Sequence, residues 1–149
     1  MLLLIYIFLK GDAMKEITLE AKVDNLNNVM AFIDEELESA GCTMKVQMQI
    51  DVAVEELFVN IASYAYGDGT GNATIIADVD GTASKATITF IDEGVPYDPL
   101  AKDDPDVTLS AAERQIGGLG IFIVKKSMDD VIYKYEDGKN ILTIVSSWG

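Results

Sequence analysis

From Ile17 the chain alternates apolar and polar residues. Ile17, Leu19, Ala21 and Val23 interleave with Thr18, Glu20 and Lys22, the period-two pattern of a strand with one buried face. The period then changes. After Asp24, a candidate N-cap, Leu26, Val29, Met30, Ile33 and Leu37 recur at helical spacing until Gly41. Thr43 caps a second predicted helix running to about Tyr66. Its core stripe is Ile50, Ala53, Val54, Leu57, Phe58 and Ile61, and the glycines from Gly67 to Gly71 stop it. Two strands are expected over residues 73–79 and 86–91, joined through Asp80-Gly81. An irregular stretch carrying Pro96, Pro99 and Pro105 runs on to Gly118, and its length suits a lid or binding loop. A helix over residues 119–128 follows, and then a hairpin over 131–135 and 140–145 turned at Asp137-Gly138.

Strands that arrive as hairpins, without regular strand–helix alternation, predict a two-layer α/β sandwich. Its sheet is mixed and mostly antiparallel, with the helices on one face, which excludes a doubly wound nucleotide fold. A chain of 149 residues suits one domain with a core of its own. That domain is placed at residues 14–149. Residues 1–13 read as an N-terminal extension. The apolar run from Leu2 to Leu9 is shorter than the roughly 20 residues of a membrane helix. It also has no basic segment ahead of it and no small-residue cleavage site after it. It is read as an extra strand, or as an upstream extension of a protein that starts at Met14.

Charge narrows the chemistry. A formal net charge of -14 repels phosphate backbones and argues against nucleic acid as a partner. It also means that a site for a polyanion must supply its own local donors. The absence of histidine removes Ser-His-Asp catalysis, histidine metal sites and a phosphohistidine acceptor within this chain. Cys42 is the single cysteine and cannot form an internal disulfide; a small, buried or half-buried thiol in a reducing cytoplasm is expected.

Three motifs carry candidate chemistry. In the second helix Glu56 and Asn60 stand four residues apart and share a face. The Asn60 carbonyl oxygen suits Mg²⁺, which takes few protein ligands and completes its shell with phosphate and water. Glu56 can polarise a hydroxyl beside a terminal phosphate. The plain alternative is a solvated acidic helix face with a chance Asn. The second motif runs from Asp92 to Pro99. Asp92 shares parity with Ile88 and Phe90, so a carboxylate at the rim of the core can accept from an adenine amino group, with Gly94 letting the backbone approach a flat ring. Its alternative is a simple turn. The third is Gly117-Gly118-Leu119-Gly120 leading into an apolar helix, where free N–H groups can hold an anion. Its alternative is a flexible linker. It lacks the following Lys-Ser/Thr of a phosphate-binding Walker loop and the spacing of the dinucleotide fingerprint. The one arginine, Arg114, lies just ahead of these glycines. It either reaches phosphate or contacts neighbouring carboxylates such as Glu113.

In this order the three motifs resemble the N, G1 and G2 boxes of the GHKL superfamily of histidine-kinase-like ATPases. The strings are Val54 through Asn60, Asp92 through Pro99, and Gly117 through Lys126 with the trailing Met128-Asp129. The likeness is strongest to the stand-alone anti-sigma-factor serine kinases. It implies ATP and Mg²⁺ as cofactors, Glu56 as general base, Asn60 as magnesium ligand and Asp92 as the adenine-binding carboxylate. Gly94 would pass close to the base. Gly118, Leu119 and Gly120, with Arg114, would frame the phosphates beneath a lid over residues 100–116. The implied partners are a STAS-domain antagonist phosphorylated on serine, a sigma factor and a second copy of the chain. A regulatory switch that binds ATP without kinase turnover is the alternative. The chain departs from the family pattern at Tyr64, where many members carry His, and at Pro96, where many carry a second Gly.

Overall fold

The computed structural model describes residues 14–101 and 119–149, and in it the period-two and helical patterns become five strands and three α-helices. Their order is β1 (Met14–Glu20), α1 (Leu26–Ser39), α2 (Met44–Tyr64), β2 (Asn72–Asp80), β3 (Lys85–Asp92), α3 (Leu119–Ser127), β4 (Asp130–Glu136) and β5 (Lys139–Ser147). The strands form one sheet in the order β1-β2-β3-β5-β4, with every neighbouring pair antiparallel.

Strand parity decides which face is covered. Ile17 and Leu19 of β1, Ala73, Ile75 and Ala77 of β2, Ile88 and Phe90 of β3, and Leu142 and Ile144 of β5 are all buried. They pack with Val29, Ile33 and Leu37 of α1, Ile50, Val54, Leu57 and Phe58 of α2, and Ile121 and Val124 of α3. The opposite parity faces away from the helices. There threonines pair across strands, Thr18 with Thr74 at 2.8 Å and Thr89 with Thr143 at 3.2 Å. The expected two-layer sandwich with helices on one face is therefore the observed architecture, and its sheet is antiparallel throughout.

Several boundaries differ from the pattern, each for a local reason. The first strand stops at Glu20, because Lys22 N–H turns back to the Glu20 carbonyl at 2.9 Å, and Val23 enters a short 3₁₀ turn (Val23–Asn25) with its side chain exposed. Asp24 does not cap α1. The N-cap is Asn25, whose buried side chain donates from Nδ2 to the Glu20 carbonyl at 2.8 Å and accepts at Oδ1 from Asn28 Nδ2 at 3.2 Å, not from a helix N–H. Thr43 does cap α2, its Oγ1 accepting from Val46 N–H at 3.4 Å. Asp80 organises the β2–β3 turn by accepting from Thr82 and Ala83 N–H. Asp137 and Gly138 both take positive φ, 53° and 76°, as a type I′ hairpin turn requires. Cys42 is half-buried and free, as expected of a lone cysteine, and burial raises its thiol above the ordinary range.

Carboxylates meet on the seam between α1 and α2. Gln47 Nε2 donates to Asp34 Oδ1 at 3.3 Å and to Glu38 Oε2 at 2.9 Å. Asp51 faces Asp34, and its buried Oδ1 has no donor, as expected for a carboxyl whose neighbours are themselves acceptors. Burial first, then the contact and charge of Asp34 and the charge of Glu38, push the Asp51 carboxyl up to about 7.

Candidate functional site

Leu57 and Phe58 anchor α2 in the core, and this sets the rotation that carries Glu56 and Asn60 to the helix edge, both half-buried. A cavity of about 560 Å³ opens there, between the second half of α2 and the ends of β3, β4 and β5. Glu56, Asn60 and Asp92 all line it, together with Tyr133 and Asn140. Residues of the first two motifs, from α2 and from the end of β3, thus share one hollow.

At one end stands the helix pair. Asn60 Nδ2 donates to Glu56 Oε2 at 3.3 Å. A carboxylate can only accept, so the amide nitrogen must be the atom facing Glu56, and among the described residues this leaves Asn60 Oδ1 without a donor. Gly120, in the first turn of α3, lies directly against the Glu56 carboxyl, and a methyl group added at Gly120 would overlap it. The tip of α3 is therefore brought onto α2 at this acid, a position in which the helix dipole favours negative charge. Leu119 beside it is exposed. Arg114, Gly117, Gly118 and the expected lid beyond Ala101 lie outside the described residues.

At the other end the sheet builds a dense polar lock. Asp92 closes β3, is buried, and sits directly across from Asn140 of β5 in the strand register. Asp92 Oδ1 accepts from Gly94 N–H at 2.9 Å and from Asn140 Nδ2 at 2.9 Å. Asn140 uses its whole amide. Nδ2 also donates to the Val95 carbonyl at 2.9 Å, while Oδ1 accepts from Tyr97 N–H at 3.1 Å and from the Tyr133 hydroxyl at 2.5 Å. Among the described residues Asp92 Oδ2 makes no hydrogen bond, so one acceptor oxygen remains on a carboxylate that lines the cavity. Burial raises the Tyr133 phenol above its ordinary range.

Tyr66 ties the surrounding elements together. Its hydroxyl donates to the Asn72 carbonyl at 2.6 Å and accepts from Glu93 N–H at 2.8 Å, joining the end of α2 to β2 and to the segment after β3. Gly71 is needed here, because a Cβ would overlap the Tyr66 ring. Gly94 departs from expectation. The close approach that forbids a side chain is to the Ala65 carbonyl at the end of α2, which also accepts from Val95 N–H at 2.9 Å. Gly94 is not among the residues lining the cavity.

Asn140, Tyr133 and Tyr66 escaped the reading of the sequence. Asn140 had a signal. It shares parity with Leu142 and Ile144, so a polar residue was aimed at the core side of a strand, as with Asp92. Tyr133 and Tyr66 had none without the strand register.

The model of the histidine kinase-like ATPase domain matches residues 19–146, which includes all three motif regions. The chain belongs to this family. This histidine-kinase-like ATPase domain is similar to the serine/threonine-protein kinase BtrW of Bordetella bronchiseptica, 28% identical over 102 residues, with 68% of this chain and 71% of that protein covered. It is similar also to the serine-protein kinase RsbW of Listeria monocytogenes, 27% identical over 108 residues, with 69% and 68% covered. Among solved structures it resembles the RsbU and RsbW domains of a Mycobacterium tuberculosis protein, with a TM-score of 0.63 over 92% of this chain and 16% identity. That likeness shows the fold, and this chain spans 33% of that one.

Proposed function

We propose that this chain is a Mg-ATP-dependent protein serine kinase of the anti-sigma-factor type. It transfers the γ-phosphoryl group of ATP to a serine of a STAS-domain antagonist protein and thereby regulates a sigma factor. Residues 14–149 would be the ATP-binding domain, working in the cytoplasm and as a homodimer. The observation that carries the reading is the convergence of Glu56, Asn60 and Asp92 on one cavity in a family of ATPases whose similar members are serine kinases.

Each residue then has a chemical role. Asp92 Oδ2 accepts from the adenine amino group, while Oδ1 stays locked by Asn140 and Gly94 N–H. Asn60 Oδ1 fits magnesium, because its amide nitrogen is already turned toward Glu56. Asn60 would hold such an ion, which would supply positive charge to the phosphate oxygens. Glu56, a turn away, accepts the proton of the attacking serine hydroxyl. Gly118, Leu119 and Gly120 would offer backbone N–H groups to phosphate, and Arg114 would supply positive charge in a chain of net charge -14.

The test is transfer of labelled phosphate from Mg-ATP to a STAS-domain protein by wild type and by Glu56→Gln. The expected result is ATP affinity close to wild type with transfer reduced about 10²- to 10⁴-fold, the span of a general base. Equal transfer by both would remove Glu56 from the role. ATP binding with no transfer by wild type would favour a switch without turnover.

A further inference from the structure

Glu56 and Asn60 end a longer row on α2. Positions 44, 48, 52, 56 and 60 are spaced by four, so they follow one ridge of the helix, and they read Met44, Met48, Val52, Glu56 and Asn60. The first three are large apolar side chains standing in solvent, 76%, 61% and 51% exposed. Isolated exposed apolar residues are ordinary, but three in register on one ridge form a continuous strip. The strip runs about 12 Å along the helix, and Val52 lies about 6 Å, one turn, from Glu56.

The neighbouring ridge is polar and becomes acidic toward the site. Gln47, Asp51 and Glu55 run parallel to the strip, at i+3 from Met44, Met48 and Val52. On the other flank Lys45 is exposed, Gln49 is half-buried and Ala53 is in the core. A partner seated on the strip therefore meets apolar surface in the middle and the exposed Glu55 carboxyl group along one side.

A kinase that modifies a protein must hold that protein so that the acceptor hydroxyl stands beside its base. Granted the kinase reading above, the geometry points to the row Met44–Met48–Val52 as the docking surface for the phosphoacceptor protein. The partner would carry an apolar patch about 6–18 Å from its acceptor serine, flanked by a basic side chain that faces Glu55. Methionine suits such a surface, because its unbranched, polarisable side chain adapts to the partner's contour. The row leads in line to Glu56, so docking and chemistry are set by the same helix.

The experiment uses the full chain with Mg-ATP and the STAS-domain proteins encoded in the same genome, purified singly. The variants are Met48→Glu, Val52→Glu and the apolar control Met48→Leu, each measured for ATP affinity, acceptor Kd and acceptor KM. Either Glu variant should raise acceptor Kd and KM by about tenfold or more, as loss of an interface anchor does, with ATP affinity close to wild type. Met48→Leu should keep the wild-type values. Unchanged acceptor Kd and KM in both Glu variants overturns the assignment. So does a Glu variant that alters only the sedimentation of the chain itself, since the strip would then be covered by a second copy. A STAS protein that binds through Met48 without being phosphorylated leaves the docking row standing and sinks the kinase reading. Phosphorylation with unaffected KM does the reverse, and no binding and no transfer with any STAS protein sinks both.

Discussion

The two ends of the cavity are built differently. At the sheet end Asp92 and Asn140 sit opposite each other on adjacent strands, and five hydrogen bonds of 2.5–3.1 Å hold them. At the helix end one bond of 3.3 Å joins Asn60 to Glu56. The two glycines repeat the contrast. Gly94 abuts a backbone carbonyl, which cannot yield. Gly120 abuts the tip of a long carboxylate side chain, which can. The sheet end is thus fixed before any ligand arrives, which on the proposed function suits recognition of a flat, rigid base. The helix end keeps a movable acid, which on the same proposal suits a place where charge rearranges during transfer.

Three perturbations test that contrast. The largest effect is expected from Gly120→Ala. The new methyl should displace the Glu56 carboxyl at little cost in stability and lower phosphate transfer about 10²-fold, the penalty of a misplacement near 1 Å. Thermal unfolding and single-turnover transfer measure the two, and a folded variant with full transfer would show that Glu56 does not need its observed position. Next is Asn140→Leu. It strips Asp92 of one donor and leaves the Tyr133 hydroxyl, Tyr97 N–H and Val95 carbonyl without their Asn140 partner. The expected cost is about 1–3 kcal/mol of stability, with ATP affinity lower by about tenfold. Calorimetry reads both, and unchanged ATP affinity would detach Asn140 from the recognition of base.

The smallest effect belongs to Asp51, on the α1–α2 seam and away from both ends. Folding raises its carboxyl from 3.8 to about 7, so the fold favours the protonated form. The stability this contributes is complete below about 4 and is lost as pH rises through about 7. Asp51→Asn should flatten the stability–pH curve across that window and raise the melting temperature slightly at pH 8, with ATP affinity untouched. An unaltered curve would show that Asp51 and Asp34 do not share a proton.

The period-two and helical patterns made the elements legible to within a few residues, because burial on one face imposes its spacing on the sequence. The placement of Glu56, Asn60 and Asp92 at the edge of the core was also legible, since each is a polar residue held at fixed offset from a core stripe. Asp24 misled, because it falls inside the 3₁₀ turn Val23–Asn25, which moves the N-cap position to Asn25.

What the chain determined alone is therefore local: which residues turn inward, roughly where helices start and stop, and which polar side chains stand at the edge of a core stripe. The meeting of Asp92 with Asn140, the contact of Gly120 with Glu56 and the collision that makes Gly94 necessary came only from tertiary structure. Each joins residues far apart in sequence through strand register or helix packing, and the alternation of side chains along one strand carries no information about which residue of another strand lies across from it.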